Sequence, residues 1–75
     1  MKQGMIDFKG EQFGFREGNY IFTLEGEKTG EIDGRVIVDL SGNPRWRIMG
    51  DAIYTLKYEP VGYFGEEYSG HQPDW

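Results

Sequence analysis

Ile37-Val38-Asp39-Leu40-Ser41-Gly42-Asn43-Pro44-Arg45-Trp46-Arg47-Ile48-Met49-Gly50-Asp51-Ala52 reads as one β-hairpin and the turn that leads into the next. Ile37 to Leu40 is short and β-branched, which favours a strand. Ser41-Gly42-Asn43 is turn chemistry, because glycine takes positive φ at little steric cost. Arg45 to Ile48 returns as a second strand, and Met49-Gly50-Asp51 turns the chain again. The same sixteen-residue unit recurs without a gap over residues 5–20, 21–36, 37–52 and 53–68. The first position of the unit is Met5, Ile21, Ile37 and Ile53; the second is Ile6, Phe22, Val38 and Tyr54; the fourth is Phe8, Leu24, Leu40 and Leu56. Glycine marks the sixth position in Gly10, Gly26 and Gly42, where the last unit has Tyr58. It marks the tenth in Gly14, Gly30 and Gly62, where the third unit has Trp46. Self-similarity at fixed spacing means one supersecondary unit used repeatedly to build a shared core.

The fold expected is all-β: four tandem hairpin repeats around a pseudo-fourfold axis, closed or nearly closed into a ring, in a single domain over residues 1–75. Closure removes exposed strand edges. An open solenoid is the alternative, but it needs capping units, and the first and last units are no more polar than the middle ones. Tyr68 falls in register with Tyr20, Val36 and Ala52, so Tyr68-Ser69 is expected to pair back near the N-terminus and residues 69–75 to form a tail. Strand side chains alternate faces. The second and fourth positions are apolar in all four units, so Ile6/Phe8, Phe22/Leu24, Val38/Leu40 and Tyr54/Leu56 are expected to face the main core. Met5/Asp7, Ile21/Thr23, Ile37/Asp39 and Ile53/Thr55 are expected opposite.

Composition narrows the function classes. The 75 residues carry a net charge of −5 and no cysteine. No disulfide, thiolate metal site or thiol nucleophile is available. The acidic balance disfavours nucleic-acid phosphate and anionic membranes, and it permits a basic protein partner or a cation. The first repeat begins almost at once, with no apolar leader or spanning run, so a soluble, cytoplasmic chain is expected.

The pattern Ile32-Asp33-Gly34-Arg35-Val36-Ile37-Val38-Asp39-Leu40-Ser41-Gly42, followed by Ile48-Met49-Gly50-Asp51-Ala52-Ile53-Tyr54, resembles the small bacterial hairpin-repeat proteins called four-fold beta flowers. The resemblance spans nearly the whole chain. It implies the architecture and carries no catalytic residues to transfer.

Candidate functional residues sit where the repeat varies. The third position alternates as Asp7, Thr23, Asp39 and Thr55; around a fourfold axis the aspartates face each other and form a polar ring able to share a proton or hold a cation. The same four side chains are also what a solvated face would carry. Trp46 replaces a glycine and is flanked by Arg45 and Arg47. Trp and Arg are enriched at binding hot spots, and Trp46 is equally suited to fill a packing gap. The same triplet as a nucleic-acid stacking patch is disfavoured by the acidic chain. Unit four is dense in aromatics, with Tyr58 and Tyr63 as candidate binding groups beside Tyr54, Phe64 and Tyr68. These suit a sugar or peptide platform, half-buried strand positions, or an oligomer contact.

His71 is the single histidine, so no multi-histidine metal site forms, and Ser69 beside it lacks a nucleophile elbow. No cofactor fingerprint is present. The reading that follows is a small non-enzymatic binding or protein-interaction module with a protein or small-molecule partner, and with self-association open. A carboxylate-lined cation or ligand ring is the alternative, and a carboxylate-dependent hydrolase comes third.

Overall fold

The computed structural model describes residues 2–68, the last two by backbone alone. The expected tail, with Ser69 and His71, lies outside the described residues. The chain forms eight strands: β1 (Lys2–Asp7), β2 (Gln12–Glu17), β3 (Tyr20–Phe22), β4 (Lys28–Asp33), β5 (Val36–Asp39), β6 (Pro44–Met49), β7 (Ala52–Thr55) and β8 (Pro60–Tyr68). They follow one another in sequence order around a closed antiparallel barrel. β8 pairs back onto β1, with Tyr68 opposite Lys2 and Phe64 opposite Met5, so the ring closes and the solenoid alternative falls away.

Two kinds of turn separate the ends of the barrel. At one end, Gly18-Asn19, Gly34-Arg35 and Gly50-Asp51 are two-residue links whose first residue has positive φ, the signature of a type II′ hairpin. At the other end the loops are longer. In the first, Gly10 N donates to Asp7 O at 3.0 Å and Asp7 N to Glu11 O at 2.9 Å, a type I turn closed by a glycine bulge at φ +84°. The turns at residues 24–27, 40–43 and 56–59 repeat this bonding.

The core corrects the expected face assignment. Met5, Ile21, Ile37, Ile53 and Phe64 are buried and cluster together, whereas Phe8, Leu24 and Leu40 are more than half exposed and Leu56 is 39% exposed. The first position of each unit therefore fills the barrel, and the second and fourth do not. The physical reason is the turn. Leu40 and its equivalents already sit in the loop, so their apolar character says nothing about which strand face is inside. Around the buried layer pack Phe13, Trp46 and Val61 towards the longer turns, and Ile32 and Ile48 with Phe64 towards the shorter ones. Arg16 takes the equivalent place in unit one, its guanidinium 5.1 Å from the Phe64 ring centre. Among the described residues these buried side chains pack together as the core of the barrel.

Candidate functional site

Each hairpin bends at the same place. Met5 pairs with Gly14 but Ile6 pairs with Gln12, which leaves Phe13 as an extra residue. The same slip isolates Thr29, Arg45 and Val61 in the other three hairpins. A bulge sharpens the local bend, and the glycine after it lets the next strand approach. A Cβ on Gly14 would lie 2.6 Å from Phe22 O, and one on Gly30 or Gly62 would collide with Val38 O or Ile6 O. These are tight barrel corners. Sequence reasoning found the glycines but missed the bulges.

Unit three departs from this pattern. Trp46 stands at the corner position and reaches inward, where its ring meets Phe13 of the opposite hairpin edge-on at 5.9 Å. Unit two departs the other way. Its corner pair, Thr29-Gly30, is the smallest of the four, against Phe13-Gly14, Arg45-Trp46 and Val61-Gly62. One large corner beside one small corner leaves a cavity of about 400 Å³ between them, walled by Ile21, Ile37, Val38 and Trp46 with Thr29 and Gly30 at its small side. A smaller space of about 100 Å³ adjoins it, sharing Ile21, Thr29 and Trp46 and reaching Phe13.

The polar groups of the cavity are held in place. Arg45 Nε donates to Asp39 Oδ2 at 3.1 Å and Nη2 lies 3.0 Å from the same oxygen. Asp39 Oδ1 accepts from Ser41 N and Asn43 N, both at 2.9 Å. The Asn43 N–H does most to hold the Asp39 carboxyl below the usual carboxylate range; desolvation opposes it, and the Ser41 N–H and Arg45 add smaller downward contributions. Thr29 Oγ1 reaches Ile21 O only at 3.5 Å, so its hydroxyl is nearly free to serve another acceptor. The site is an apolar slot with a fixed ion pair and one hydroxyl.

The structure brings together only part of the candidate set. Arg45, Trp46 and Asp39 meet at the cavity. Arg47 points outward, donating from Nε to Leu56 O at 3.2 Å with its guanidinium 4.8 Å from the Tyr58 ring centre. Tyr58 holds φ +68° where the other three turns use glycine. Tyr63 lies elsewhere, 6.3 Å from Phe8 between ring centres. The alternating Asp7, Thr23, Asp39 and Thr55 act first as turn caps. Asp7 Oδ1 accepts from Lys9 N and Glu11 N at 2.9 and 3.0 Å. Thr23 Oγ1 accepts from Glu27 N at 3.2 Å, and Thr55 Oγ1 from Lys57 N and Glu59 N at 3.3 and 3.0 Å. Short oxygen-bearing side chains at the first turn position do this wherever the backbone offers donors. Among the described residues no cluster of three or more His, Asp or Glu is placed to hold a metal ion.

Among the described residues no helix is long and apolar enough to cross a membrane. No family model, no curated protein and no solved structure matches the chain.

Proposed function

We propose that this protein is a small non-enzymatic binding module that receives a ring-sized apolar body in the corner cavity between Thr29 and Trp46. The observation that supports this most is the cavity itself. It arises where the fourfold pattern breaks, and its size falls within the roughly 300–1,000 Å³ usual for ligand pockets. Its walls are mainly aliphatic and aromatic. The Thr29 hydroxyl, nearly free to serve a guest, and the Asp39–Arg45 pair at the edge supply the few polar groups that orient it. A molecule with an apolar ring and one hydrogen-bonding group suits this lining.

The alternative of a cation-holding carboxylate ring draws little support, because Asp7 and Asp39 each spend an oxygen on their own turn and Asp39 spends the other on Arg45. The hydrolase reading, for which Glu25/Glu27 or Glu66-Glu67 would be the carboxylates, draws little support, because Glu25 and Glu27 lie exposed in a turn away from the cavity lining. The resemblance to four-fold beta flowers remains our reading of the ancestry, supported by four gapless units and by closure of the ring.

Thermal melts with millimolar benzyl alcohol test the binding reading. A guest that binds only the folded state raises Tm by mass action. Wild type is expected to gain stability, and Thr29→Phe, which places at this corner the residue unit one carries there, is expected to melt higher by itself and to lose the response. An equal response in both proteins would exclude the cavity as the site.

A further inference from the structure

The end of the barrel with the longer turns carries a second feature that the cavity does not explain. Phe8, Leu24, Leu40 and Leu56 stand at the four turn tips with 66, 56, 67 and 39% of their surface exposed. The second position of a type I turn accepts most residues, so the backbone does not require a large apolar one. All four tips nonetheless carry one, while the tight turns at the opposite end carry Gly-Asn, Gly-Arg and Gly-Asp. Tyr20 and Met49, beside the tight turns, are 47 and 55% exposed, but only the longer turns carry a large apolar residue at every tip, and such an apolar crown, rimmed by polar residues, has the make-up of an interaction surface.

Charge selects the occupant. The residues that follow the tips are Lys9 and Glu11, Glu25 and Glu27, Ser41 and Asn43, and Lys57 and Glu59. With Asp7, Asp39, Arg45 and Arg47, whose side chains also engage these turns, carboxylates outnumber cationic groups six to four around the crown. A second copy docking crown to crown would set this acidic rim against itself, and like-charge juxtaposition opposes such pairing. An anionic lipid surface is opposed by the same sign. We propose that the crown docks a segment of another protein that presents apolar side chains flanked by lysine or arginine. The apolar tips supply the contact, and Glu11, Glu25, Glu27 and Glu59 supply register and attraction. This inference rests on the turn tips and stands independently of the cavity.

Amide chemical shifts of the ¹⁵N-labelled protein test it with three short synthetic peptides: Leu/Lys, Ser/Lys and Leu/Glu. The Leu/Lys peptide is expected to shift amides in the four longer turns, with affinity falling about tenfold on raising salt well above physiological strength. The other two peptides are expected to leave the spectrum unchanged. Phe8→Ser combined with Leu40→Ser is expected to abolish the shifts while keeping the melting temperature, since both side chains are exposed. Thr29→Phe is expected to bind the peptide like wild type, which separates this outcome from the fate of the cavity. Shifts away from the turns, equal binding of the Ser/Lys peptide, or binding of phosphatidylcholine vesicles in preference to the peptide would each overturn the proposal. So would a concentration-dependent dimer that buries the crown.

Discussion

Gly30→Ala and Gly26→Ala add the same methyl group four residues apart, and the barrel predicts very different outcomes. Gly26 has φ +89° and nothing within 4 Å of an added Cβ. Alanine there suffers backbone strain of about 1–2 kcal/mol, partly offset by about 0.4–1 kcal/mol from a stiffer unfolded chain. The net loss is about 1 kcal/mol. Gly30 has an ordinary backbone, but an added Cβ would collide with Val38 O and sit 3.4 Å from Val38 C. Val38 and Glu31 are paired in the β4–β5 ladder, so the obstacle is backbone and cannot rotate away. Relief to normal contact needs the strands to part by about 1 Å. Overpacking of this kind costs about 1–3 kcal/mol, and each ladder bond lost adds about 1 kcal/mol. The expected loss is therefore about 3 kcal/mol or more. With a urea slope of about 1 kcal/mol/M for so small a domain, the midpoints should fall by about 1 M and about 3 M. Equilibrium urea unfolding followed by circular dichroism reads both. Equal losses, or a larger loss for Gly26→Ala, would refute the tight-corner account.

Three more perturbations probe other parts of the molecule. Ile53→Ala should destabilise by about 2–5 kcal/mol because Ile53 is fully buried, and Leu40→Ala should stay within about 0.5 kcal/mol; the reverse order in denaturant melts would restore the face assignment expected from hydropathy alone. Tyr58→Gly removes positive-φ strain but forfeits the Arg47 contact, whereas Tyr58→Ala keeps the strain and loses the contact. The glycine variant should therefore melt above the alanine variant. Asp39 has a folded-state pKa below its ordinary 3.8, so the ionised group adds stability above that pH and loses it as the pH falls through the lowered value. Asp39→Asn should melt below wild type at neutral pH, and the gap should close as an acid titration passes below 3.8.

The architecture was legible because period, glycine placement and strand length all agreed. Gapless alignment required equal hairpins, and Tyr68 in register with Tyr20 pointed to closure. Hydropathy alone misplaces the inner face, because Leu40 and its equivalents lie in turns and not in strands. Asp39-Leu40-Ser41-Gly42 and Asp7-Phe8-Lys9-Gly10 carry the turn signature of an oxygen-bearing side chain three residues before a positive-φ glycine, and that signature moves the fourth position out of the strand. The cavity was half legible. Trp46 stood out as a broken glycine position, but Thr29 did not, because a threonine in a strand is unremarked until its three counterparts prove larger. Arg45 and Arg47, neighbours on either side of Trp46, looked like one patch. The bulge at Arg45 sends it to the cavity edge with Asp39, while Arg47 joins Tyr58 outside.

The most direct test of the binding account is a ¹H–¹⁵N map of wild type and Thr29→Phe titrated with benzyl alcohol, in a Trp75→Phe background so that the indole N–H signal belongs to Trp46. The account predicts saturable shifts at the Trp46 indole and at the Gly30 and Val38 amides in the Thr29 protein, and none of these in Thr29→Phe. Shifts spread evenly over the outer strands, or unchanged by the phenylalanine, would contradict it.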